Sequence, residues 1–192
     1  AFTETVAEIA GCRINLLRGG SGEPLLFLHG ASGGGIWQPF HDRLAQRLDV
    51  IAPEHPGWGR SDTPEWLDTI GDVAYYYLDF LKAMNLRDVH LVGLSVGGWI
   101  AAEIAVRATD RLKSLILVSA AGLHVPGVKQ VDSFLQSDEA RLRDFFHDQK
   151  LADTLIGQVL SPERQDIALK NRFTTAKLIW QPRGYNPHLK KW

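Results

Sequence analysis

One tight connection limits what this chain can fold into more than any other feature. Residues 89–94 (Val-His-Leu-Val-Gly-Leu) read as a buried strand and residues 99–108 carry a helical period, with only Ser95, Val96, Gly97 and Gly98 between them. A strand that turns into a helix over so short a stretch needs one strained backbone residue. Its two limbs can approach only where the neighbouring side chains are minimal, which Gly93 and Gly97 provide. Such a turn lifts the Ser95 hydroxyl clear of the sheet and sets it at the positive end of a helix dipole.

Around that turn, short apolar runs alternate with longer amphipathic stretches. Residues 25–29, 50–54, 89–94 and 112–119 read as buried strands, and each of the first three is followed by a segment able to form a helix. Strands joined by helices imply right-handed crossovers and a mostly parallel sheet, so the class is α/β. Residues 3–18 read as an antiparallel hairpin that precedes the alternation. The clearest helix starts at Thr69, which caps it together with Asp72, and runs on through Ile70, Val73, Ala74, Tyr77, Leu78, Leu81 and Met84. Beyond Gly122 only helical periods remain (134–146, 151–160, 167–180), with joints at Pro126, Gly127, Pro162 and Pro182. The expected organisation is a core over 1–122 and a helical cap over 123–192.

Composition excludes several classes. With 45% apolar residues in 192, the chain has material for one core, and no apolar run approaches the roughly 18 residues of a membrane span. The single cysteine, Cys12, permits neither an internal disulfide nor a cysteine-based metal cluster. No basic start leads into an apolar signal segment, so the expected compartment is the cytoplasm. Residues 164–192 carry seven Lys or Arg against Asp166 alone, but these charges alternate with Leu169, Phe173, Leu178, Ile179 and Trp180. They read as solvated helix faces, and no nucleic-acid partner is expected.

The strand, the small-x-Ser-x-small turn and the helix together form a nucleophile elbow. In that motif Ser95 is the nucleophile and the Val96 N–H faces any oxyanion formed beside it. A second donor is expected from the glycine-rich loop His29-Gly-Ala-Ser-Gly-Gly-Gly35 after an earlier strand. His29, one residue before a tight turn, reads as a brace for that loop rather than as a base. A dinucleotide site is a poor alternative, because Gly30, Gly33, Gly34 and Gly35 do not give G-x-G-x-x-G and prolines flank Glu54.

Taken together, the strand order, His29-Gly30, the run Pro56-Gly-Trp-Gly-Arg-Ser-Asp62 and the elbow at Ser95 resemble the α/β-hydrolase superfamily over about residues 3–122, and more loosely over the cap. The resemblance implies a serine hydrolase without cofactor or metal, acting on a small-molecule ester or related acyl substrate. It implies Ala31 as the second oxyanion donor, with Ser32 the alternative, and a serine rather than aspartate nucleophile. Ser32, Trp58 and Trp99 are candidates for the substrate pocket. A carbon–carbon bond hydrolase of the same fold is the alternative activity, and a ligand-binding protein with no competent triad is the rival from another class.

Members of that superfamily place the triad acid and histidine after the serine, on later strands. Here Ser119 is followed by Ala120-Ala121-Gly122, and no later strand is evident. His41, His90, His147 and His188 are poorly placed to serve as base, while His55 and His124 follow strand ends and are the in-chain alternatives. The expectation is therefore that the last core strands are missing, with the Asp and His carried by a further C-terminal segment or a second chain.

Overall fold

The strands whose sequences are continuously apolar are those with both faces covered. In the computed structural model, which describes residues 1–128, 132–159, 164–181 and 184–191, six strands form one sheet in the order β1-β2-β4-β3-β5-β6. The strands are β1 (Phe2–Ile9), β2 (Cys12–Gly19), β3 (Glu23–Leu28), β4 (Leu48–Pro53), β5 (Val89–Leu94) and β6 (Leu112–Val118). β1 and β2 are the expected antiparallel hairpin; β2 pairs antiparallel with β4, and β4, β3, β5 and β6 run parallel. On β3, Leu26 and Leu28 enter the main core cluster while Leu25 and Phe27 enter a second cluster on the other face. Two buried faces account for unbroken apolar runs in place of alternation.

Helices α1 (Pro39–Leu44), α2 (Ile70–Ala83) and α3 (Val96–Ala105) follow β3, β4 and β5. Thr69 caps α2 as expected: its side chain accepts the Asp72 N–H at 3.2 Å while the Asp72 carboxylate accepts the Thr69 N–H at 2.7 Å. Ile70, Val73, Ala74, Tyr77 and Leu81 are buried along the expected stripe, joined by Tyr76 and Phe80. The breaks expected at Pro162 and Pro182 lie outside the described residues. Past Gly122 come α4 (Asp138–Asp144), α5 (Gln149–Val159) and α6 (Gln165–Ile179), and the described residues there contribute no strand to the sheet.

All six strands lie before residue 122, and the chain beyond it packs into the same core. Leu178 and Leu189 belong to the main core cluster. The segment after α6 returns to the sheet's edge, where Gly122 N–H donates to Gly184 O at 3.3 Å and Asn186 N–H to Gly122 O at 2.8 Å. Asn186 Nδ2 also donates to Glu103 Oε1 at 2.6 Å, beside the Trp99 indole N–H at 3.0 Å and the Arg107 guanidinium. Burial raises the Glu103 pKa, but the hydrogen bonds from Asn186, Arg107 and Trp99 outweigh it and hold the carboxyl below its ordinary value.

β6 is the exception to burial. It closes the sheet, and Leu115, Ile116, Leu117 and Val118 are each 40–44% exposed, on both faces of the strand. An apolar strand with an open edge is a template for pairing with another chain. The 192-residue chain alone is expected to self-associate through β6, and Ile116→Lys to shift it towards monomer. Sedimentation velocity over a concentration series checks this; an unchanged distribution would place the association surface elsewhere.

Candidate active site

The strain expected of the elbow falls on Ser95, whose backbone has φ 53° and ψ −115°. A non-glycine residue held there stores on the order of 1–3 kcal/mol, which the surroundings must offset. They do so by fixing its backbone at both ends: Ser95 N–H donates to Val118 O on β6 at 2.9 Å, and Ser95 O accepts from Ala121 N–H at 3.0 Å and Trp99 N–H at 3.1 Å. The flanking glycines have steric reasons. A Cβ on Gly93 would strike Gly97 and Gly98, and one on Gly97 would strike the carbonyl of Leu28 and come within 2.5 Å of His29 O.

The loop after β3 lies directly against this turn, since a Cβ on Gly30 would be 3.4 Å from Ser95 Cβ. Its carbonyls are held one after another. His29 O faces His55 Nε2 at 3.0 Å, and Gly30 O faces His29 Nδ1 at 2.7 Å and accepts Gly33 N–H at 3.1 Å. Ala31 O accepts the Trp58 indole N–H at 3.1 Å, and Ser32 O accepts Asn171 Nδ2–H at 2.9 Å. In a trans peptide the C=O and N–H point in opposite directions. With the Gly30 and Ala31 carbonyls fixed, the Ala31 and Ser32 amide hydrogens point the other way, and among the described residues neither donates to a protein group. The same reasoning applies to the Ser95–Val96 peptide: its carbonyl is engaged within α3 and by Ala121, so the Val96 N–H emerges from the helix start.

Two histidines brace the loop. His55 N–H donates to His29 Nε2 at 3.0 Å, so His29 carries its proton on Nδ1 and gives it to Gly30 O. His55 gives its Nε2 proton to His29 O, and its Nδ1 accepts from Tyr77 OH at 2.6 Å. The rings stack with centroids 3.7 Å apart. Burial pushes His29 down to about 4 and, with the adjacent His29, holds His55 well below its ordinary value. Both imidazoles are neutral and every ring nitrogen is engaged, so His29 is the brace its position predicts and His55 is withdrawn as a base.

Three further histidine rings also have partners. His90 bonds Ser114 Oγ at 2.7 Å and Glu23 at 3.0 Å, and the buried His41 accepts the Gln38 N–H on Nδ1 at 3.0 Å. His124 lies on Tyr185 with ring centroids 5.2 Å apart, bordering a cavity of about 190 Å³ that also includes Asn186 and Lys190.

Trp58 and Trp99, expected at a pocket rim, lie in the main core cluster instead. Trp58 has no exposed surface, and it supports the Ala31 carbonyl from within. Trp99 packs beneath Gly122 with its indole N–H on Glu103. Ser32 is exposed. The larger cavity, about 420 Å³, lies against the β1–β2 hairpin between the ion pairs Arg13–Asp62 and Arg60–Glu4 and includes no residue of the Ser95 turn.

Sequence reading missed the contribution of α6. Asn171 reaches Ser32 across 139 residues of chain, its Oδ1 accepts Gly59 N–H at 2.8 Å, and Thr174 Oγ1 donates to Gly57 O at 2.7 Å. Lys170 Nζ donates to Gly59 O at 2.9 Å and Ser61 O at 2.6 Å, so part of the basic charge of residues 164–192 caps core carbonyls. Periodicity marks α6 as a helix but says nothing of which loops its polar residues meet.

The chain belongs to the alpha/beta hydrolase fold family, whose model matches residues 23–175. It is 35% identical over 130 residues to 2-hydroxymuconate semialdehyde hydrolase of Pseudomonas sp. (strain CF600), covering 65% of this chain and 46% of that protein. It is 35% identical over 118 residues to a putative carbamate hydrolase, RutD, of Azorhizobium caulinodans, covering 61% of this chain and 42% of that one. The chain thus spans less than half the length of either. Among solved structures it resembles a serine hydrolase involved in carbazole degradation, the CarC enzyme, with a TM-score of 0.75 and 25% identity over 98% of this chain and 75% of that one. No helix among the described residues is long and apolar enough to cross a membrane.

Two outcomes follow from this geometry. Gly97→Ala drives a methyl group into the Leu28 carbonyl and is expected to cost about 2–4 kcal/mol in chemical denaturation; wild-type stability would contradict the close approach. For His29, the folded value of about 4 lies below the ordinary 6.5, so below pH 6.5 the unfolded chain takes up protons that the folded protein refuses. Stability is full above about 6.5 and falls towards pH 4, by on the order of 3 kcal/mol for His29 alone. Urea midpoints across that range check it, and a flat profile would contradict a neutral, buried pair.

Proposed function

We propose that this chain carries the nucleophile and oxyanion hole of a serine hydrolase acting on a carboxylic ester or related acyl substrate. One observation supports the reading above the rest: a strained Ser95 abuts a loop whose carbonyls are all held, leaving the Ala31 and Val96 amides turned outward beside it. In this reading Ser95 Oγ gives its proton to a base as it attacks the acyl carbon, and the carbonyl oxygen becomes an oxyanion held by those two N–H groups. Collapse expels the alcohol, which takes the proton from the base. Water then repeats the sequence on the acyl-enzyme and releases the acid.

His29 and His55 spend their ring nitrogens on the loop. The base and its carboxylate are therefore assigned to chain beyond these 192 residues or to a second chain. The exposed apolar edge of β6 supports that assignment, being the surface on which further strands would pair. A second reading, hydrolysis of a carbon–carbon bond by the same serine, is supported by the similarity to 2-hydroxymuconate semialdehyde hydrolase.

Ser95→Ala in the intact protein is expected to abolish hydrolysis of short p-nitrophenyl esters and labelling by a fluorophosphonate, with the melting temperature kept. Retained turnover, with contamination excluded, would remove Ser95 from the role.

A further inference from the structure

Three glycines in the loop after β3 remain unexplained by the elbow, and each makes room for a different buried polar side chain. A Cβ on Gly34 would fall 2.8 Å from His29 Cγ, one on Gly35 2.8 Å from the Glu54 carboxyl carbon, and one on Gly33 2.6 Å from Asn171 Nδ2. Gly33 also has φ +99°, which side-chain-bearing residues rarely adopt. The loop is shaped to receive these groups, and one of them belongs to the cap.

Asn171 is 3% exposed and bonds two loops at once, Ser32 in the one after β3 and Gly59 in the one after β4. Its orientation is fixed by its partners: Oδ1 must face the Gly59 N–H and Nδ2 the Ser32 carbonyl, because the reverse would set donor on donor and acceptor on acceptor. The Ser32 carbonyl is the last of the four that hold the loop. The first three are fixed from within the core, by His55, by His29 with Gly33, and by Trp58. Only the fourth is fixed from α6.

We infer that Asn171 is a positioning residue for the oxyanion loop: by holding Ser32 O it orients the Ser32–Gly33 peptide, whose N–H donates to Gly30 O on the peptide that carries the Ala31 N–H, and so couples the docking of α6 to transition-state stabilisation. This rests on the reading of Ser95 as nucleophile and Ala31 as oxyanion donor. Donors act only when aimed at where charge develops, and displacement by a fraction of an ångström is felt in kcat more than in substrate binding.

The test uses the intact protein and p-nitrophenyl esters, with phenylboronic acid as a mimic of the tetrahedral adduct. Asn171→Asp keeps the acceptor for Gly59 and sets a carboxylate oxygen against Ser32 O. It is expected to lower kcat about 10- to 100-fold and to weaken boronate inhibition in parallel, with KM within about twofold. Asn171→Ala, whose vacated space admits water, is expected to show the same split. Thr174→Val removes the hydrogen bond to Gly57 O from the same helix and is expected to lower the melting temperature while leaving kcat within about twofold.

A folded Asn171 variant with wild-type kcat and boronate affinity overturns the inference. An equal loss of kcat in Thr174→Val does so too, since it would trace the effect to anchoring of the cap. If neither Asn171 variant folds, the amide is a folding residue and the inference falls. Ser95→Ala, assayed alongside, separates the two levels: if it stays active the hydrolase reading itself fails, whereas an inactive Ser95→Ala beside fully active Asn171 variants sinks only the positioning role.

Discussion

Satisfying the backbone carbonyls of residues 29–32 is the constraint on which the arrangement around Ser95 depends. An exposed loop at the end of a buried strand has no ladder to pair its polar groups, and each one buried without a partner costs about 1–3 kcal/mol. This protein meets the requirement with one side chain or turn after another: His55, then His29 and Gly33, then Trp58, then Asn171. Because each peptide is planar, holding its oxygen also aims its neighbour's N–H. Outward amides beside the serine are thus a consequence of how the loop is made soluble in its own core.

The same logic explains groups that look chemical and are not. His29 and His55 sit at strand ends next to the nucleophile turn, where an active-site base is ordinarily sought. Their desolvation and reciprocal hydrogen bonds leave them neutral and fully engaged. The Tyr77 hydroxyl on α2 completes the chain of contacts by donating to His55, so the apolar stripe of that helix also carries one polar support for the loop.

Much of this was legible in the sequence because it is local. The Gly93-x-Ser95-x-Gly97 spacing, the Thr69–Asp72 cap and the unbroken apolar runs each report on neighbours within a few residues, and β5 occupies 89–94 as read. Trp58 misled because a large aromatic in a loop sequence reads as an accessible wall, whereas Gly57 and Gly59 let the chain fold back and bury it completely. Asn171, Lys170 and Thr174 were illegible for another reason. Polar residues on a helix look solvated unless their partners are known, and here those partners lie more than 100 residues away. Gly33 held the trace of Asn171 alone, as a position emptied of its own side chain to admit another.

The orientation of the Ala31 and Val96 amides is tested by a crystal structure of the intact protein with a phosphonate or boronate adduct on Ser95. One adduct oxygen is expected about 2.7–3.1 Å from both the Ala31 and Val96 nitrogens, with Gly30 O still on the His29 ring and Ala31 O still on the Trp58 indole. An adduct oxygen held instead by side chains or solvent, with either amide bonded elsewhere in the protein, would contradict it.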